Sequence, residues 1–400
     1  MDKGIRSYVP CLFMWILLLG VPLANLIHDE NRKLTQADHQ PTSARAQTTW
    51  SGVVELTDSY TVNVTDELII APCTVVKLPN AARLFVDGRI IVQGDTSCRV
   101  TLDRVSNGLH YGIQFNQSSY GRGSVIDNLS IENSMYGITI YGSDPILNNV
   151  TVVNPSRVGV DLFSSANPTI RDLLVDQSGR GFSYADWRFG IGLSVGAGSA
   201  PVVERAVLSD TRIRGLNIWG DSGGIYRQIT IDNITAEGAL AISAGVWVED
   251  SRPLITNVTV DKSDYGILIR HIDDGGYTRA VVRDCLVTNS MYRGIYVDKA
   301  NHTNFTNYES ADFTNTVVRG TGGPNAKTSN IGFAAIEVNA TGAWFENTVI
   351  EDSTTVGLRL YFVDSSTTFN NLTISNSGDP GQGAHSAGLA IRSSFFAPTF

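Results

Sequence analysis

Apolar positions along this chain come in short runs of three to five residues in which apolar and polar side chains alternate. The stretch "VIDNLSIENSMYGITIYGSD" (125–144) shows the pattern, and "PILNNVTVVNPSRVGVDLFS" (145–164) repeats it at once. Period-two alternation bounded by Gly, Asn, Ser and Pro predicts strands, not helices. Further copies occupy 168–195, 201–220, 225–250, 253–271, 279–298, 312–338, 343–362 and 368–393. Each copy carries a Gly just before an alternating run: Gly137, Gly159, Gly192, Gly215, Gly245, Gly266, Gly294, Gly332, Gly357 and Gly388. Their spacing is 21 to 38 residues, with the shortest intervals near 22. The longer intervals therefore read as one basic turn plus an inserted loop.

Strands this short cannot form a sheet or a core within one copy. Stacked coil on coil, they pair in parallel with the next copy and bury one continuous column of apolar side chains. A second column marks a corner. Asn128, Asn149, Asp172, Arg205, Gln228, Asn257, Asp284, Asn315, Asn347 and Asn371 stand just after the first strand of each copy. Asn and Asp tolerate left-handed backbone, and stacked amides can hydrogen-bond along the column. The expected fold is all-β, a parallel β-solenoid of about ten or more coils. Residues 48–109 have strands without the Asn column and read as an N-terminal β cap with the first coils. The chain ends on "PTF" (398–400), which matches the opening of a new copy such as "PTI" (168–170). An uncapped last coil exposes core and strand edge, so the repeats of 110–400 are expected to continue beyond residue 400.

The recurring "N-x-T/S-V/I … G-I-x-V" pattern resembles the right-handed parallel β-helix repeats of the pectin-lyase-like superfamily, over roughly residues 110–400. The resemblance implies the fold. It leaves the activity open, because that superfamily includes lyases, hydrolases, epimerases, tailspikes, adhesins and copper-accessory proteins. In the enzymes it resembles, the strand after the repeat Gly lines the substrate cleft. Polygalacturonase-like hydrolases carry "NTD", paired Asp, "GHG" and "RIK" on successive coils, and these do not stand here as a set.

Charged residues make up only 17% of the chain and the net charge is −9. No basic stripe is present, which disfavours a nucleic-acid partner. Lys3 and Arg6 precede an apolar run from Tyr8 to Ile27. Residues 1–27 therefore read as a signal peptide or an N-terminal membrane anchor, and 28–47 as a polar linker. A membrane contact is expected only through such an anchor or one downstream. Export permits a disulfide: Cys73 and Cys98 can pair and leave Cys285 over, or all three can be buried thiols. Ten N-x-S/T sequons are present, of which Asn128, Asn149, Asn257 and Asn371 coincide with the corner column, where burial is expected to block modification.

Candidate chemistry is sparse. "RHIDDGG" (270–276) brings Arg270, His271, Asp273 and Asp274 close in sequence. Paired carboxylates suit acid–base work on a glycosidic bond, and Asp273 with Asp274 is the candidate for calcium, although adjacent Asp residues in a Gly-rich loop also form ordinary solvated turns. Otherwise no cofactor or metal site is legible. Four Met, six His and four Cys, mostly unclustered, do not suggest copper. The strand after the Gly is more informative. Alternation points Thr139, Asp161, Ser194, Asn217, Trp247, Leu268, Tyr296 and Arg359 outward, and beside them Tyr141, Phe163, Trp219, Glu249, Arg270, Asp298, Tyr361 and Arg392. Tyr141, Phe163, Trp219, Trp247, Tyr296, Arg359 and Tyr361, with Trp187 on the inserted "GFSYADWRFG" (181–190), are the candidates for stacking and holding sugar rings. Aromatic residues also favour strands for packing reasons alone. The expected function is an exported, cell-surface or secreted β-helix that binds extracellular polysaccharide or serves as an adhesin or spacer. The alternative is a polysaccharide lyase or glycoside hydrolase with a divergent site.

Overall fold

The structure is a computed structural model, which describes residues 46–179, 190–236, 242–272, 279–299, 309–322, 333–363, 366–378 and 388–392. The proposed leader of 1–27 and most of the 28–47 linker lie outside them, as do Trp187, Asp273 and Asp274. Every strand pair is parallel, and each strand pairs with its counterpart in the neighbouring coil. Among the described residues two sheets result, one of 17 strands and one of 13. The 13-stranded sheet holds the strands after the repeat Gly, one per coil, from Tyr60–Val62 to Leu389–Arg392. The 17-stranded sheet is bent at the Asn corner. In Val125–Glu132, residues 125–127 and 129–132 pair across the corner residue Asn128 with the two limbs of Ile146–Val153.

All ten residues of the corner column are left-handed, with φ between 50° and 58°. Side chains bond along it: Asn149 Nδ2 donates to Asn128 Oδ1 at 2.5 Å, and Asn371, Asn347, Asn315 and Asp284 form an unbroken ladder of 2.8–3.1 Å bonds. Where Arg205 replaces the amide, it grips Asp172 one coil earlier through two bonds. The corner lies at the surface, and Asn257 and Asn371 are exposed. The expected burial of the sequon asparagines is thus corrected: a corner turns its side chain along the outside of the stack. A second left-handed column follows each copy's second strand and includes Asn133, Asn154, Asp210, Asn233, Asn289 and Asn376.

The interior is one hydrophobic cluster running from Trp50 to Phe369. Like stacks on like. Phe313, Phe345 and Phe369 lie parallel with centroids 4.8 and 4.9 Å apart, which is the coil spacing. The segment 46–115 joins the same two sheets, with strands such as Asp66–Ile70 pairing in register with Arg89–Gln93. Ala46–Trp50 begins within the stretch read as linker. Cys73 and Cys98 form a disulfide across adjacent coils, with Cα atoms 4.8 Å apart. Cys285 is a free, buried thiol whose pKa burial pushes up to about 12, so it is not poised as a nucleophile.

The repeat glycines have no unusual φ; what they provide is space. A Cβ on Gly245 would lie 2.2 Å from Val260 Cγ1 and 2.8 Å from the Gly266 carbonyl of the next coil, and Gly137, Gly159, Gly215, Gly266, Gly294 and Gly357 show the same approach of a Val or Ile. One expected marker is displaced. Arg293 pairs with Ala334 and Ile295 with Ile336, so Ala335, not Gly332, occupies the glycine position of that coil. Gly245→Ala is expected to destabilise the protein by about 1–3 kcal/mol through overpacking. A urea melt should show this as a lowered midpoint, and adding Val260→Ala should recover part of the loss.

Candidate functional site

The outer face of the 13-stranded sheet is built by alternation. In Tyr136–Tyr141, Ile138 and Ile140 join the interior, so Thr139 and Tyr141 face out. Pairing then aligns Thr139, Asp161, Ser194, Asn217, Trp247, Leu268, Tyr296, Glu337 and Arg359 in one column. Glu337 and its outward neighbour Asn339 were not anticipated, because reading Gly332 as the marker shifts that coil by three residues.

From Arg214 to Arg359 this face is a closed lattice, contrary to the expected open platform. Trp247 is only 6% exposed and Leu268 is fully buried. With Ala244 and Tyr265 they form a small apolar cluster outside the solenoid, flanked by Tyr292 and Tyr296. The Arg214 guanidinium sits 3.8 Å above the Trp247 ring, with Arg270 at 5.3 Å, and Trp247 Nε1 donates to Glu249 at 3.2 Å. Arg293 clasps Glu337 through two bonds and donates to the Tyr265 hydroxyl at 2.6 Å. Arg359 approaches the same Glu337 at 3.4 Å, and Asn339 donates to Asp298 at 2.9 Å and to the Tyr296 hydroxyl at 3.4 Å. Burial drives the Tyr296 hydroxyl up and brings Arg214 down to about 10. Trp247, Tyr296 and Arg359 are thus each engaged with partners inside this layer. Tyr361 lies edge-on to Phe362.

Arg270 and His271 part company. Alternation turns Arg270 onto the outer face, 3.3 Å from Asp298, whereas His271 is buried with Nδ1 3.0 Å from Asp250 Oδ1. Their proximity in sequence is not proximity of function. Among the described residues no group of three or more His, Cys, Asp or Glu is placed to hold a metal.

The N-terminal coils of the same face are different. Tyr141 and Phe163 are stacked with centroids 5.4 Å apart and an interplanar angle of 17°, and Trp219 meets Phe163 edge-on at 6.2 Å. Tyr141 is 36% exposed, and Phe163 and Trp219 are half-buried. The coil between Phe163 and Trp219 carries Gly196, and a Cβ there would lie 2.3 Å from Trp219 Cε2. The indole thus folds over the glycine to reach Phe163. Beside this ring ladder runs a polar row: Thr139, Asp161, Ser194 and Asn217, each at most 5% exposed. Burial lifts the Asp161 carboxyl from 3.8 to about 7, and a hydrogen bond with Ser194 offsets only part of that.

A carboxyl whose pKa rises on folding binds its proton more tightly in the native state, so stability falls as pH rises from about 4 through 7. A rise from 3.8 to about 7 corresponds to roughly 4 kcal/mol above pH 7, as an upper figure. Asp161→Asn is therefore expected to raise stability at pH 8 by up to that amount and to leave it nearly unchanged at pH 4. Thermal melts of both proteins at the two pH values check this, and equal shifts at both would refute it.

Comparison with known proteins agrees with this architecture. The profile described as "Right handed beta helix region" matches residues 88–242 and 244–396. A sequence search of curated proteins finds no match. Among solved structures, an alginate lyase from a Paenibacillus species is 11% identical, with 66% of this chain and 94% of that chain covered and a TM-score of 0.49. The catalytic unit of a GH87 α-1,3-glucanase from Streptomyces thermodiastaticus is 15% identical, with coverage of 82% and 62% and a TM-score of 0.43. A periplasmic alginate epimerase is 10% identical, with coverage of 80% and 77% and a TM-score of 0.42. This chain thus spans less than two thirds of the glucanase unit. With the profile matching well over half of the chain, and parallel coils running through the same residues, the chain belongs to the right-handed β-helix family.

Proposed function

We propose that this protein is an exported, cell-surface or secreted β-helix that binds polysaccharide without cleaving it. The observation that carries this reading is the Tyr141–Phe163–Trp219 ladder on the outer face, partly open to solvent and bordered by a row of hydrogen-bonding groups. Rings offer apolar faces for the C–H side of a sugar, and the polar row offers partners for its hydroxyls. Export is supported by the basic residues and apolar run of 1–27 and by the Cys73–Cys98 disulfide, a bond typical of oxidising compartments.

A second reading, a lyase or glycoside hydrolase, draws on Asp161, because a carboxyl titrating near 7 suits proton transfer at neutral pH. Hydrolysis by paired carboxyls needs them about 5–9.5 Å apart. On the coils adjacent to Asp161 the outward positions of the strand carry Thr139, Tyr141, Ser194 and Gly196, none of them acidic. Binding is therefore the better-supported reading.

Affinity electrophoresis of the purified protein against acidic and neutral polysaccharides tests it. Retardation is expected without new reducing ends or unsaturated products, and Trp219→Ala should weaken binding about tenfold, a loss of about 1.4 kcal/mol. Depolymerisation abolished by Asp161→Asn would establish the enzyme reading instead. No retardation by any glycan would leave only the role of a spacer.

A further inference from the structure

Three buried side-chain atoms in the polar row lack a hydrogen-bond partner: Thr139 Oγ1, Asp161 Oδ1 and Asn217 Nδ2. They stand in one register column, Thr139 on the coil before Asp161 and Asn217 two coils after it, with Ser194 between. Coils are about 4.8 Å apart, so the row offers an acceptor or donor at Thr139, an acceptor at Asp161 and a donor at Asn217 over about 15 Å. The orientation of Asn217 is settled by Arg214, which donates to its Oδ1 at 2.6 Å and leaves the NH2 group unpaired. A buried polar group without a partner costs about 1–3 kcal/mol, and here three of them share one register column beside a ring ladder.

We infer that Thr139, Asp161 and Asn217 form a hydroxyl-binding subsite of this face, and that its ligand is a neutral glycan and not a polyuronate. The inference rests on the glycan-binding reading above and adds the chemical class. Sugar hydroxyls both donate and accept, so one chain can satisfy Asp161 Oδ1, Thr139 Oγ1 and Asn217 Nδ2 together. A uronate would bring a second carboxylate to Asp161 in a desolvated place. Among the described residues no cation pairs with Asp161, whose partner is the Ser194 hydroxyl. Among the described residues, the charged and titratable side chains near it on this face include Arg83, Tyr136 and Tyr141 on preceding coils, Arg157 before its own strand, and Arg214 two coils on. Of these, Arg157 donates to the Tyr136 hydroxyl, and Arg214 is spent on Asn217 and Trp247. Because the three groups are screened from water, a hydroxyl reaching them needs side chains to part.

Hydroxyls donating to Asp161 favour its ionised form, so protonation opposes binding of a neutral ligand and would assist binding of an anionic one. The test is isothermal titration of a panel of neutral glycans, including dextran and laminarin, and of polygalacturonate, between pH 5.5 and 8.5. The wild-type protein should bind a neutral glycan with affinity that falls up to about tenfold per unit below pH 7. Asp161→Asn should flatten that profile. Thr139→Val, which keeps shape and charge, should lower affinity several-fold and preserve the pH dependence. Thermal melts confirm that both variants fold. Preference for polygalacturonate, affinity rising on acidification, or variants indistinguishable from wild type would overturn the subsite while the glycan-binding reading stands. Failure of every glycan to bind would overturn both.

Discussion

Parallel hydrogen bonding between successive coils forces each residue to stand on its counterpart one coil earlier. That constraint decides what each position can be. An inward position meets its own kind above and below, so Phe313, Phe345 and Phe369 stack at the coil spacing and the core runs unbroken from Trp50 to Phe369. A corner position must be left-handed in every coil, so an amide that tolerates that backbone also finds an amide one coil away to bond. Stability of this kind is a sum over neighbours.

Outward positions escape the rule, because solvent accepts any side chain. There the column changes character along the stack. Over the C-terminal coils, arginines, acids and aromatics neutralise one another, and the apolar members are buried within that layer. Over the N-terminal coils the rings remain partly open, and the polar row next to them is desolvated without being satisfied. The first arrangement is largely paired within itself. The second keeps three buried groups without partners in one column, with a perturbed carboxyl among them, and the proposed subsite rests on these.

The interior and the first corner could be read from the letters because both obey a period. Alternation named the inward Ile138 and Ile140, and the recurring Asn named the turn. What escaped had no period or broke it. Ala335 fills a glycine position, so Glu337 and Asn339 were out of frame. The burial of Trp247 depends on Arg214 from the preceding coil, about thirty residues away in the chain. Arg270 and His271 are adjacent in sequence, yet a strand sends neighbours to opposite faces. The second left-handed corner was written in Asn133, Asn154, Asn289 and Asn376, but Gln177 and Lys262 interrupt it. The pattern was dilute enough to pass for surface polarity.

Two kinds of glycine now separate, and the distinction bears on where selection for function acts. Gly245 and most of its equivalents make room for an interior Val, Ile or Leu of the neighbouring coil, a requirement set by the stack itself. Gly196 makes room outward. At its position the flanking coils carry Phe163 and Trp219, and only an empty site lets the indole lie across one coil to meet the phenyl ring. The repeat does not require a glycine there, since Tyr141, Glu249, Arg270 and Asp298 occupy equivalent positions. A residue that the fold permits to be anything, and that is small only where a ring must cross it, is explained by the ring ladder and by nothing in the solenoid.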